Sequence, residues 1–318
     1  MYQFIKIWDL YHYFVAASKI VETGSIPQTE YPLGALIPML LPRLLTSDYG
    51  MYAILFHIQS VLAFMFGLWL LRGMWPPVRR SLWAYVLPFA FLFPLAIELL
   101  DVYVAVLALL ALWLFARGRE VPAGIALVAA VSVKFYPIIL FPYLMLRGTK
   151  RPLVMGIMAG LSVMVIALNM YGVSFHAARG VQPESVYGSA MYLIGSRKTE
   201  YAFNSIQFAG SSMPMWASAL AMSFFALLAI RSRRFMEGAY LMVLGFILSF
   251  KVFSPQYLFW LAPFVPFVGA RKRALFVAAT VLTAWYLGFY DQAVVKLIAP
   301  YSFVLVVRNF LLALSFFL

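Results

Sequence analysis

The sequence predicts an all-α fold, that of a polytopic transmembrane helical protein, and three observations predict it. Of the 318 residues, 64% are hydrophobic and 11% are charged, whereas soluble domains carry roughly 25% charged residues. Apolar runs long enough to cross a bilayer recur along the chain. The connections between these runs alternate between basic and acidic, which is the pattern that orients multi-span proteins.

The predicted spans lie at residues 49–71, 81–97, 99–116, 152–171, 212–230, 235–250, 255–270, 274–290 and 297–318. Residues 33–45 are apolar but too short to span, which favours an interfacial or re-entrant helix. Two half-length runs between residues 121 and 146 are separated by Lys134-Phe135-Tyr136-Pro137. Broken helices of this kind are tolerated only against protein or a polar cavity. We therefore expect about 11 membrane segments, two of them half-length, plus the interfacial helix, in one domain covering residues 1–318.

Charge orients these segments. One set of connections carries most of the basic residues: Arg72, Arg79, Arg80, Arg117, Arg119, Arg147, Lys150, Arg151, Arg231, Arg233, Arg234, Arg271, Lys272 and Arg273. The positive-inside rule places this set in the cytoplasm, so residues 1–48 and 172–211 become outer loops. The segment count then puts the N-terminus outside, and we expect that a first helix before Met1 is missing.

Composition excludes several kinds of chemistry. The chain has no cysteine, so disulfides, thiolate metal sites and a cysteine nucleophile are excluded. No His, Asp and Glu cluster has metal-ligand spacing, so neither a metal nor a cofactor is expected. Basic cytoplasmic loops of a membrane protein explain the net charge of +13. Membrane lipids are therefore expected partners, and nucleic acid is not.

Functional side chains concentrate on the predicted outer face. Asp9 stands in Trp8-Asp9-Leu10-Tyr11-His12-Tyr13, and Glu30-Tyr31-Pro32 follows. Glu98 and Asp101 are spaced to share one helix face, where they would either contact the acceptor or cap the helix and pair with Lys134. Further groups stand in the loop from His176 to Ser185, in the turn from Lys251 to Tyr257 and at Arg308 in the last span. A charge within a span usually faces a cavity or a partner.

One carboxylate among several cations suggests a reaction. A sugar linked to a polyprenol through phosphate already has an acidic leaving group, which needs cationic hydrogen-bond donors rather than a general acid. One carboxylate then suffices to take the proton of the acceptor hydroxyl. A glycosidase instead needs two carboxylates beside the bond, so the pattern favours a transferase.

Three stretches carry a family resemblance. Asp9-Leu10-Tyr11-His12-Tyr13 through Gly24 and Glu30-Tyr31-Pro32, the loop His176–Ser185, and the turn Lys251-Val-Phe-Ser-Pro-Gln-Tyr257 occur in that order. In these the chain resembles the GT-C superfamily of polyprenol-phosphate-sugar glycosyltransferases, and within it glycosyltransferase family 87, which includes mycobacterial mannosyltransferases of phosphatidylinositol mannoside synthesis. Leu33 stands where the family has a second proline, and the family's first transmembrane helix is absent.

The resemblance implies a GT-C-like fold and an inverting transfer with Asp9 as the catalytic base. It implies that His176, Arg179, Lys251 and Arg308 hold the donor phosphate, and that Trp8, Tyr11 and Tyr31 stack on sugar rings. The other expected substrate contacts are Glu30, Glu98, Asp101, Gln182, Glu184, Ser254 and Gln256. The partners would be a polyprenyl-phosphate-linked sugar, with mannose as the best-known cargo of the family, and a lipid or glycan acceptor. The active site would face the extracytoplasmic side of the cell membrane.

Simpler alternatives stand beside these assignments. In the simplest alternative, Asp9 is a solvated acid in a loop. His176 and Arg179 would then anchor their loop structurally. Arg308 would extend its charged end to the membrane surface or pair with Asp291. A transporter or flippase of lipid-linked or small solutes is the main functional alternative, but it would place charges at the membrane midplane in repeated halves. A sibling arabinofuranosyl- or glucosyltransferase would differ only in substrate.

Overall fold

The computed structural model describes residues 9–74 and 76–318, and helices dominate it. The helices are α1 Asp9–Thr23, α2 Leu36–Leu45, α3 Tyr49–Met74, α4 Trp83–Phe91, α5 Phe93–Glu98, α6 Asp101–Ala116, α7 Glu120–Val133, α8 Leu140–Leu146, α9 Pro152–Ala167, α10 Met170–Ala178, α11 Val186–Leu193, α12 Met215–Ile230, α13 Phe235–Ser249, α14 Leu258–Leu261, α15 Ala270–Leu287 and α16 Phe303–Phe317. The all-α prediction needs one correction. Two short antiparallel strands, β1 Thr199–Ala202 and β2 Ser205–Phe208, form a hairpin within the predicted outer loop 172–211.

Few of the described helices are long enough to cross a membrane. By length and composition α3 is long enough to cross a membrane over Tyr49–Gly73. α9 and α10 are long enough only if they are counted as one span, and they meet at a bend of 73°. The other apolar helices have 10–17 residues, below the roughly 20 that a bilayer core requires. The predicted count of about 11 segments is therefore not confirmed.

Proline explains where predicted spans are broken. The span 81–97 divides into α4 and α5, and both helices contain a proline, Pro88 and Pro94. The span 255–270 is not one helix but the short α14 between two 3-10 turns that include Pro255 and Pro266. Proline lacks the amide hydrogen and clashes with the preceding turn, so apolar composition alone did not make these segments continuous.

Other local predictions have mixed outcomes. The break at Lys134 is confirmed, since α7 ends at Val133 and Lys134 is extended, with φ −154° and ψ 141°. A short helix within residues 33–45 is also present. The interpretation of residues 9–23 as loop was wrong. They form α1, whose buried residues Leu10, Tyr13 and Ala17 recur at helical spacing.

The chain divides into two compact units. The N-terminal unit comprises residues 9–82 and Phe93–Ser174, and in it α6 packs against α3 and α7 while α7 also packs against α9. The C-terminal unit comprises Trp83–Leu92 and Phe175–Leu318, where α12 packs on α13 and α15 on α16. The hairpin of this unit packs through Phe208 in a small buried cluster with Val181, Tyr192 and Leu297.

Candidate active site

Asp9 is the first residue of α1 in the N-terminal unit, where it is half-buried. The pKa of this carboxyl is raised to about 6, mainly by burial and then by the charges of Glu30 and Asp101, while the charges of Lys134 and His12 oppose the rise. Burial and nearby like charge both disfavour the ionised form. A carboxyl that titrates near neutral pH is suited to accept a proton during a reaction. Asp9 is therefore more than a solvated loop acid.

Lys134 and Asp101 form an ion pair beside this carboxyl. Nζ of Lys134 lies 2.7 Å from Oδ1 of Asp101, whose side chain is 2% exposed. This is the Lys134 pairing that the sequence left open. Glu98 does not share a helix face with Asp101, because α5 ends at Glu98 and α6 begins at Asp101. Burial raises the pKa of Glu98, and the charge of Asp9 raises it further.

The Glu30-Tyr31 segment is held in place through Tyr31. The Tyr13 hydroxyl donates to the Tyr31 hydroxyl at 3.3 Å, and Nδ2 of Asn169 donates to the Tyr31 carbonyl at 2.6 Å. Nζ of Lys134 lies 5.9 Å from the centre of the Tyr31 ring. The N-terminal unit thus gathers Glu30, Tyr31, Glu98, Asp101 and Lys134 around Asp9.

The proposed aromatic contacts have separate outcomes. Tyr11 is 46% exposed, and its ring meets that of Tyr49 edge-on at 5.5 Å. Its stacking on a sugar stays a prediction. Trp8 lies outside the described residues.

In the C-terminal unit, the loop 179–185 is hydrogen-bonded to the turn that follows α13. The Gln182 amide donates to the Lys251 carbonyl at 3.0 Å, and the Phe253 amide donates to Oε1 of Gln182 at 3.1 Å. Nζ of Lys251 donates to the Ala177 carbonyl at 2.8 Å. Burial lowers the pKa of Lys251. Two stretches that are separate in sequence are therefore one structure here, with Ser254 and Gln256 half-buried in the same turn.

Arg179 connects the loop to the hairpin. Its Nη2 donates to the Phe203 carbonyl at 3.1 Å, and its guanidinium lies 4.7 Å from the centre of the Phe175 ring. Phe203 has a positive φ of 52°, an uncommon conformation for a bulky residue. The His176 ring also contacts Phe175, at 5.7 Å. These contacts fit the structural-anchor alternative, and the phosphate role of both residues stays a prediction.

Arg308 lies within a buried polar group and contacts Glu184. Its Nη2 donates to the Glu184 carbonyl, and its Nη1 donates to the Tyr286 hydroxyl at 3.3 Å. The Tyr286 hydroxyl in turn donates to Oε1 of Glu184 at 2.7 Å. Burial raises the pKa of Glu184 to about 7, although this bond and the charge of Arg308 oppose the rise. The suggested pair of Arg308 with Asp291 is wrong, since Asp291 pairs with Lys296 at 2.6 Å.

The model of glycosyltransferase family 87 matches residues 29–255. The chain belongs to glycosyltransferase family 87. The predicted resemblance is thereby confirmed, and the protein is a glycosyltransferase, an enzyme that uses a sugar donor and an acceptor. No curated protein and no solved structure matches the chain. Together with the many apolar helices, the family indicates a membrane protein and favours an enzyme over a transporter.

The family match covers most of the site residues but not all. It includes Glu30 and Tyr31, the Arg179–Ser185 loop and Lys251. The site residues outside the matched range are Trp8, Asp9, Tyr11, Gln256 and Arg308. In the part of this family 87 chain that the structure describes, no three His, Cys, Asp or Glu residues form a group that could hold a metal ion.

The sequence interpretation missed several polar partners. Asn309 is 2% exposed and donates from Nδ2 to the carbonyls of Glu184 and Ser185. An amide inside an otherwise apolar helix marks such a partner, so Asn309 had a signal in the sequence. Gln207, whose Oε1 accepts from the Gly180 amide at 2.7 Å, had none, because its role depends on the hairpin.

Proposed function

We propose that the chain is a multi-pass integral membrane glycosyltransferase that moves a sugar from a polyprenyl-phosphate donor to a lipid or glycan acceptor. Mannose is the first candidate sugar, and transfer takes place on the extracytoplasmic side of the cell membrane. Family membership carries the reaction class. The observation that carries the mechanism is the half-buried Asp9, whose pKa of about 6 leaves it mostly ionised, yet still basic, at neutral pH.

The proposed step is a single displacement. The acceptor oxygen attacks the anomeric carbon and forms the new glycosidic bond, while the bond from that carbon to the phosphate oxygen breaks. The lipid phosphate leaves with the electron pair, and Asp9 receives the acceptor proton. Because one displacement inverts the anomeric centre, a β-linked donor would give an α-glycoside.

The donor phosphate is proposed to bind the cations that the family resemblance names, His176, Arg179, Lys251 and Arg308. Charge-assisted bonds from such donors stabilise a leaving phosphate. This proposal for the donor phosphate is supported by the family match, which includes His176, Arg179 and Lys251. Sugar and acceptor contacts are proposed for Trp8, Tyr11, Glu30, Tyr31, Glu98, Asp101, Gln182, Glu184, Ser254 and Gln256.

Asp9→Asn tests the base. Asparagine keeps the size and polarity of the side chain but does not accept the proton at neutral pH. Since general-base assistance contributes about 10²–10⁴-fold, turnover should fall by that factor while donor binding stays near normal. The measurement is sugar transfer from a purified polyprenyl-phosphate donor in detergent, together with the anomeric configuration of the product.

Asp48→Asn is the matched control. Oδ1 of Asp48 accepts from the Met51 amide at the start of α3, and asparagine caps a helix equally well, so turnover should be unchanged. An Asp9→Asn protein that folds, binds donor and turns over at the wild-type rate would remove Asp9 as the base.

A further inference from the structure

We infer that Lys134, fixed by Asp101, is a positioning residue that keeps Asp9 in its proton-accepting state. The inference rests on the proposed function, because it requires Asp9 to be the base. Lys134 would act through its charge and its fixed place, without forming or breaking a bond to substrate.

The position of Lys134 is set by the break between two helices. α7 ends at Val133, and the extended backbone of Lys134 starts the connection to α8. The Lys134 side chain is 17% exposed and the Asp101 side chain is 2% exposed. Nζ of Lys134 lies 2.7 Å from Oδ1 of Asp101. A charge pair shielded from water interacts more strongly than one at the surface. The ammonium group is therefore held at one place in a weakly screened setting.

A chain of contacts connects this place to α1. The ammonium of Lys134 lies 5.9 Å from the centre of the Tyr31 ring, and the Tyr31 hydroxyl accepts from Tyr13 at 3.3 Å. Tyr13 stands four residues after Asp9 in α1, and residues at this spacing are neighbours on one helix face. Lys134 is thus connected, through Tyr31 and Tyr13, to the face of α1 that carries Asp9.

The charges around Asp9 explain why one cation matters. The carboxylates that raise its pKa come from the loop before α2 and the start of α6, namely Glu30 and Asp101, while Glu98 at the end of α5 is itself shifted by the charge of Asp9. The cations are Lys134 and His12, and His12 is an exposed residue of α1 itself. Without Lys134 the two carboxylates Glu30 and Asp101 would act on Asp9 with only His12 opposing them, and like charges disfavour ionisation. A protonated Asp9 does not serve as a base.

Opposite shifts in two single variants test the inference. An opposite charge nearby typically moves a carboxyl pKa by 1–3 units. Lys134→Met should therefore move the acidic limb of the kcat/KM–pH profile up by about one pH unit, with roughly tenfold loss below the limb and little loss on the plateau. Asp101→Asn should move the limb the other way, because it removes a carboxylate and leaves Lys134 charged. Lys134→Arg should keep the wild-type limb.

Lys19→Met is the matched control, since Lys19 is an exposed residue of α1 and its loss should leave the limb in place. A structural role alone would lower the rate equally at every pH, and that result, or an unmoved limb in Lys134→Met, would overturn the inference. Should Lys134→Met fail to fold, Lys134→Gln, which also removes the charge, decides by the same upward shift of the limb. In the same assay, wild-type turnover of Asp9→Asn would instead overturn the proposed base, so the two failures are distinguishable.

Discussion

Arg308 has no solvent exposure, although it is charged. Its guanidinium donates to the Glu184 carbonyl, to Tyr286 and to Oδ1 of Asn309, and it lies 4.0 Å from the centre of the Phe253 ring. Burying a charge is costly unless it is paired and hydrogen-bonded. These hydrogen bonds and the ring contact offset part of that cost, and they join α16 both to the Glu184 loop and to the turn after Lys251. They define a structural role for Arg308, whatever it contributes to the donor phosphate.

The same group predicts a pH dependence of stability through Glu184. Its pKa is raised in the folded protein from 4.5 to about 7, so below pH 4.5 the group is protonated whether the chain is folded or not. Between these values only the unfolded chain releases the proton, and the free energy of unfolding therefore falls as pH rises. The loss should be on the order of 3 kcal/mol and complete above about pH 7.

Glu184→Gln should remove this contribution and reduce the slope of stability against pH, because the amide stays neutral and keeps the size of the side chain. The measurement is the thermal unfolding midpoint in detergent from pH 4.5 to 8, followed by tryptophan fluorescence. Glu22→Gln is the control, since Glu22 is 61% exposed in its pair with Arg43 and its loss should leave the slope unchanged. Equal slopes in wild type and Glu184→Gln would contradict the prediction.

Among the helices, α11 approaches the family-matched loop most closely at Gly188. A Cβ atom there would lie 2.1 Å from the Gln182 carbonyl oxygen, a backbone atom that is unable to rotate away. Gly188→Ala should displace the loop from the Lys251 turn, lower the unfolding midpoint and reduce turnover. In Gly160→Ala, the control in α9, the new Cβ meets open space, so a gain of up to about 1 kcal/mol in helix propensity is expected. Equal behaviour of the two variants would contradict the close approach.

Helix positions were predictable where composition decides them and not where packing does. The polar Lys134 between two apolar runs marked a real break, and the uniform run of α3 marked a real helix. Hydropathy alone did not show that apolar segments are interrupted near Pro94 and Pro266. The helical spacing of Leu10, Tyr13 and Ala17 was present in the sequence of α1, but the aromatic and apolar residues between them obscured it.

The hairpin β1–β2 could not be predicted from its own residues. Its strands have four residues each, and an isolated hairpin of this size is marginally stable. It is held by the Phe208 amide, which donates to the Val181 carbonyl at 2.9 Å, and by Arg179 at the Phe203 carbonyl. Partners so far apart in sequence meet only in the folded chain. The motifs that contain Arg179 and Lys251 were visible, but their contacts were not.

For the molecule as a whole, the family match and the internal geometry constrain different parts of the proposal. The match reaches from residue 29 to residue 255 and carries the reaction class. The N-terminal unit adds the Asp9 group, where burial and charge suit a proton acceptor. The C-terminal unit adds the Arg179–Ser185 loop and the Lys251 turn, which are bonded to each other. The side of the membrane on which this chemistry takes place depends on the orientation of the loops.

Single cysteines test that orientation, because the natural chain has none. Positive loops face the cytoplasm, so residue 233 should be inside and the loop 172–211 outside. In intact cells, Ala190→Cys should react with a membrane-impermeant maleimide, whereas Arg233→Cys should react only after lysis. Both residues are exposed in the C-terminal unit, so burial would not explain protection. Labelling of Arg233→Cys in intact cells, with Ala190→Cys protected, would place the family-matched loop in the cytoplasm and rule out transfer on the extracytoplasmic side.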